Sequence, residues 1–230
     1  TGSAIVINGF PPVLPAFPGD TLIMDFTPLI AADLPPTLTT GVPGNGIYSF
    51  PGASTLQTVS YKSIELVNSG GISYHLVIDG RLSGAYGDDT TGDPDSTPDS
   101  LLVRKNVAGT DGGTTGADLI VERTGAAGAD PGDFVGLIYR GTIADILSLT
   151  IEGSNDRETV TISDIGGLPD FAGTIPTGQN NSNVAPAPDM LFNGRGPAGA
   201  GGDALVYQLD LGGGGPTYAG MWCDDDKLRA

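Results

Sequence analysis

Basic residues are scarce in this chain: 10 lysines and arginines stand against 27 acids, a formal net charge of −17 over 230 residues. Binding to nucleic acid or to an anionic membrane surface needs clustered cations, so neither is an expected partner. No apolar run approaches the ~18 residues that a membrane-spanning helix requires, so membrane insertion is not expected either. Cys223 is the single cysteine, which excludes an intrachain disulfide framework and any cysteine-based zinc site. Glutamate is rare as well. Only Glu65, Glu122, Glu152 and Glu158 occur, so 27 − 4 = 23 of the acids are aspartates, residues that suit turns, caps and hard-cation coordination better than helices.

Catalytic vocabulary is also missing. His75 is the single histidine; in Tyr74-His75-Leu76-Val77-Ile78 it alternates with apolar neighbours and reads as a strand residue facing solvent, not as a general base. There is no lysine-bearing phosphate loop, no H-E-x-x-H and no G-x-S-x-G. We therefore expect no enzyme. The chain begins at Thr1 without an initiator methionine and reads as processed or as cut from something longer.

What is abundant points to β-structure. With 37 glycines and 18 prolines, helices are interrupted and turns are plentiful, yet a hydrophobic content of 39% is too high for simple disorder. Short β-like runs recur, each bounded by Gly, Pro, Asn or Asp: AIVI, TLIMDF, TVSYKSIELV, YHLVI, DLIVE, ILSLTIE, ETVTIS and ALVYQL among them. Many open with an acid just ahead of an aliphatic residue, as at Asp20, Asp118, Asp145, Glu158, Asp189 and Asp203. A longer unit recurs too. Ala144–Ile162 and Ala187–Tyr207 both read as strand, Gly turn, polar loop, acid and second strand. Reuse of one supersecondary unit predicts a stack, so the expected fold is all-β, with a parallel β-helix or β-roll-like solenoid over at least part of the chain. An antiparallel β-sandwich is the alternative. Residues 1–230 are expected to form a single repetitive domain, divisible into a decorated N-terminal repeat, 1–80, and later repeats, 81–230.

The segment Ala198-Gly-Ala-Gly-Gly-Asp203-Ala-Leu-Val206 departs only at its first position from the calcium nonapeptide G-G-x-G-x-D-x-U-x, where U is a large aliphatic residue. Gly153–Thr161 departs further, with Asp156 in a glycine position and Glu158 in the aspartate position. With Asp20-Thr-Leu-Ile-Met and the later strands, the pattern over residues 19–207 resembles the degenerate hemolysin-type (RTX-like) and β-helical repeats of large secreted bacterial surface proteins. The resemblance implies an extracellular or cell-surface structural or adhesive segment and no particular reaction.

Calcium is the cofactor these acids suit. Asp88, Asp89, Asp93, Asp95 and Asp99 crowd one polar loop, where Asp93 and Asp95 can converge on a hard cation; the order of an EF-hand loop is absent. Asp203 is a second candidate through the nonapeptide. The expected function is a non-catalytic structural or adhesive component of a bacterial extracellular assembly, calcium-stabilised, whose partners are other copies of itself in a polymer or layer. Exposed edges for such pairing are expected at Ile5–Phe10 and in the ALVYQLDL strand. A polysaccharide-binding or polysaccharide-cleaving β-helical module is the alternative, with Tyr207, Tyr218 and Trp222 as a possible carbohydrate platform.

Overall fold

The computed structural model of the chain describes residues 5–9, 20–25, 30–52, 54–64, 66–82, 99–124, 136–153, 158–171, 173, 189–194, 203–208, 222–224 and 227–229. In chain order the strands are β1 (Ile5–Asn8), β2 (Thr21–Ile23), β3 (Thr37–Thr40), β4 (Gly46–Ser49), β5 (Val59–Lys62), β6 (Leu66–Asn68), β7 (Tyr74–Asp79) and β8 (Asp99–Lys105). They continue with β9 (Asp118–Arg123), β10 (Gly136–Thr142), β11 (Ile146–Glu152), β12 (Glu158–Ser163), β13 (Met190–Asn193), β14 (Ala204–Gln208), β15 (Trp222–Asp224) and β16 (Lys227–Arg229). Helical turns among these residues are limited to short 3-10 segments at Ala31–Asp33 and Ile143–Asp145. The chain is all-β.

Two open sheets result. The larger has the order β1-β5-β4-β3-β7-β11-β13-β16-β15, the smaller β14-β12-β8-β9-β10-β6-β2. Both are mixed: among the described residues eight pairings are parallel and six antiparallel. The antiparallel pairings gather in two meanders, β3-β4-β5 and β8-β9-β10, and at β13-β16-β15. Elsewhere the chain crosses between sheets at each step, from β6 to β7 to β8 and again from β10 through β11, β12 and β13 to β14. Parallel neighbours need a return path to the same end of the sheet, and here a strand of the other sheet provides it.

Glycine and one serine place the corners. Thr58–Val67 reads as one strand in the sequence, but it is broken at Ser63, which adopts a left-handed φ of 56° and donates its backbone N–H to Asn45 Oδ1 at 3.1 Å. β5 therefore ends in the larger sheet and β6 begins in the smaller. Gly46 is needed for a different reason. Its Cα partner across the ladder is Tyr61, and a Cβ there would lie 2.5 Å from the ring carbon that carries the Tyr61 hydroxyl.

Strand alternation fills the core between the sheets. Leu38, Leu76, Leu149 and Met190 stand at one register level on the adjacent parallel strands β3, β7, β11 and β13, and all four are buried. Leu205, Val160 and Leu101 make the corresponding row on β14, β12 and β8. Four tyrosines, Tyr48, Tyr61, Tyr74 and Tyr139, close the same core. Tyr48 meets Tyr74 edge-on with ring centroids 5.9 Å apart, and the hydroxyls of Tyr74 and Tyr139 are hydrogen-bonded to each other.

Candidate functional site

The two segments that share a pattern, Ala144–Ile162 and Ala187–Tyr207, lie side by side in both sheets. Leu149 pairs with Met190, Glu152 with Asn193 and Thr159 with Ala204. The ends of β11 and β13 are tied as well: Asn193 Nδ2 donates to Glu152 Oε1 at 2.8 Å, and the Gly153 N–H donates to the Asn193 carbonyl at 2.9 Å. Asp203 and Glu158 stand next to each other at the starts of β14 and β12. Asp99 continues the row as the Cα partner of Glu158 on β8. Three acids thus occupy one level of three adjacent parallel strands.

The carboxylate of Asp203 ties the start of one strand to the next, because its Oδ1 accepts the Glu158 backbone N–H at 3.0 Å. That bond joins residues 45 apart in sequence and fixes the start of β12 beside Asp203. Glu158 points inward, in line with Val160 and Ile162, and its exposure is 0%. Two glycines make room for these acids. A Cβ on Gly194 would sit 2.1 Å from Asp203 Oδ2, and one on Gly153 would sit 2.9 Å from Glu158 Oε2. Asp88, Asp89, Asp93 and Asp95 lie outside the described residues. Among the described residues no three Asp, Glu, His or Cys side chains converge closely enough to hold a metal.

A second polar centre fills the connection between β8 and β9. Asn106 Nδ2 donates to the Gly112 carbonyl at 2.9 Å, and Asn106 Oδ1 accepts the Asp118 N–H at 2.9 Å. Gly112 and Gly113 have φ of 76° and 71°, which turns the peptide oxygens of this loop toward Arg140. The guanidinium takes them up: Nη1 donates to the Asp111 carbonyl at 2.6 Å, while Nε and Nη2 donate to Asp118 Oδ2 at 2.8 and 2.7 Å. A carboxylate with adjacent peptide oxygens is the ligand type of a hard cation, and the chain's own arginine sits among these. Next to it, Arg104 bridges Asp111 and Glu122 at 2.7 and 3.1 Å. The hydrogen bond from Arg104 holds the Asp111 carboxyl below its ordinary range, and the same bond pushes Arg104 up.

Four tyrosines and His75 are further polar groups of the core. Burial pushes Tyr48, Tyr61 and Tyr139 well above the ordinary phenol range, and Tyr74 likewise, so all four remain neutral hydroxyls at any physiological pH. His75 corrects the expectation of a solvent-facing strand residue: it is buried, and its Nδ1 lies 2.7 Å from Ser148 Oγ. The alternation placed it correctly on the face opposite Leu76, but β7 is covered on both faces. Burial lowers its pKa. Ser148 itself is 1% exposed, so this Ser–His contact is closed to a substrate and serves packing between β7 and β11. Of the aromatic platform, Tyr207 is half-buried against the core, Trp222 belongs to β15, and Tyr218 lies outside the described residues.

No family model, curated protein or solved structure matches this chain. Its function is therefore argued from its own geometry.

Proposed function

We propose that the chain is a non-catalytic structural module of an extracellular assembly, wound as a two-sheet solenoid and joined to other copies of itself through the ends of its sheets. The observation that carries this reading is the character of the sheet edges. Among the described residues β1 and β2 are the outermost strands of the two sheets at one end, and β14 is the outermost strand of the smaller sheet at the other. None of their twelve residues, IVIN, TLI and ALVYQ, is charged, although charged residues make up 16% of the chain. Edges that must stay monomeric are often blunted by charge or proline; β1, β2 and β14 contain neither. They also carry outward-facing apolar side chains, with Val6 55%, Ile23 67% and Val206 43% exposed.

The two ends differ, so contact between them is head-to-tail and open-ended. Ile23→Glu on one end and Val206→Glu on the other place a charge on an exposed position, where folding stability changes by only about 0.5 kcal/mol. Each variant is expected to lose concentration-dependent association in sedimentation velocity. Mixed in equal amounts, the two are expected to form a one-to-one dimer, because each retains the end that the other lacks. Association that survives both substitutions, or a mixture that stays monomeric, removes the reading.

Calcium belongs to the same proposal. Folding concentrates the −17 charge, and self-repulsion favours a divalent ion bound to the folded form. The ligands are Asp93 and Asp95 with Asp88, Asp89 or Asp99, and Asp203 is the second candidate through its nonapeptide. At a hundredfold excess over Kd such an ion adds about 2.7 kcal/mol. Chelation at fixed ionic strength is expected to lower the melting temperature by roughly 5–10 °C. An unchanged melting temperature together with no metal by elemental analysis counts against calcium and leaves these aspartates as turn formers.

A further inference from the structure

The end of the molecule that carries β14 is asymmetric. Among the described residues the smaller sheet stops at β14, but the larger sheet continues past β13 with β16 and β15. These two strands form an antiparallel hairpin, Trp222 with Arg229 and Asp224 with Lys227, and β16 lies antiparallel along β13. At the opposite end β1 and β2 are flush, one ending each sheet. Chain direction is the same at both ends. Through the meanders, β1, β5, β3, β7, β11 and β13 all run one way in the larger sheet. The same holds for β2, β6, β10, β8, β12 and β14 in the smaller. The β1/β2 end of a second copy can therefore continue both sheets in parallel at β13/β14, except that β16 occupies the place of its β1.

Charge separates the hairpin from the edges it adjoins. The strands β1, β2, β13 and β14 contain sixteen residues and no charge, whereas β15 and β16, WCD and KLR, carry three charges in six residues. Charged, short strands are the usual protection of an edge that would otherwise pair. We propose that the β15–β16 hairpin is a removable cap on β13, and that its displacement opens the β13/β14 end to the β1/β2 end of a second copy of this chain. This rests on the head-to-tail structural reading and adds what regulates it. A cap that is closed nine-tenths of the time raises the apparent dissociation constant for the second copy about tenfold.

The test compares the full chain with a chain truncated after residue 221. It adds the full-length variant Leu228→Pro, because Leu228 is the residue of β16 that pairs with both Phe192 and Cys223 and proline removes its N–H. Each is measured by sedimentation velocity over a concentration series, alone and combined with Ile23→Glu. Truncation and Leu228→Pro are each expected to lower the concentration of half-assembly about tenfold, and Ile23→Glu is expected to abolish that gain. The cap is overturned if full and opened chains associate equally, or if the gain survives Ile23→Glu. Equal but measurable association overturns the cap alone, whereas no association in any chain overturns the head-to-tail reading as well.

Discussion

Arg140→Ala is expected to cost about 3–5 kcal/mol of folding stability and to lower the melting temperature by roughly 10 °C. Three features set the size. The guanidinium is 9% exposed on its side chain, and the Asp118 carboxylate that it holds at 2.7 Å is 17% exposed, so its loss strands a partly buried charge where water screens weakly. The same group also donates to the carbonyls of Asp111 and Gly112, the second of which it shares with Asn106. And it ties β10 to the start of β9 across 22 residues of sequence. Arg140→Lys keeps the charge but not the planar fork that serves the carboxylate and the carbonyls together, so an intermediate loss is expected. Denaturant unfolding of the three proteins decides it: a loss below about 1 kcal/mol for the alanine variant shows that water replaces the guanidinium without penalty.

Leu76→Ala is expected to cost a similar amount, roughly 3–5 kcal/mol, as the sum of lost transfer energy and an unfilled cavity. Leu76 is fully buried in the middle of the row formed by Leu38, Leu149 and Met190. Its neighbours are held by ladders on both sides of β7, so the site cannot collapse easily. Leu149→Ala in the same row should not add independently. The double variant is expected to depart from the sum of the singles by about 0.5–3 kcal/mol; strict additivity counts against a shared row and for two separately packed sites.

Local chemistry was legible from the chain. Apolar alternation, with Gly, Pro, Asn and Asp between the runs, placed β7, β9, β11, β12 and β14 close to where they stand, because strand formation answers to side-chain pattern and turn residues to backbone conformation. The acids ahead of many aliphatic runs were legible too, and at Asp203 the carboxylate accepts the N–H at the start of the neighbouring strand β12. Strands of the segments Ala144–Ile162 and Ala187–Tyr207 pair with each other in both sheets. The edge expected at Ile5–Phe10 begins with β1, and that of ALVYQLDL with β14, each outermost in its sheet.

What the sequence by itself determined, then, is an all-β chain, acidic at its turns, with the aliphatic face of each strand written into residues two apart. The tertiary structure alone decided which sheet each strand joins and in which direction its neighbours run, since pairing partners are tens of residues away and a period of two is the same in parallel and antiparallel ladders. It broke Thr58–Val67 at Ser63, because the chain has to leave one sheet for the other there. It buried His75, because alternation tells which face a residue is on and not whether that face is covered. And it set Arg140 against Asp118, a long-range choice among few cations and many aspartates that depends on β9 and β10 being neighbours.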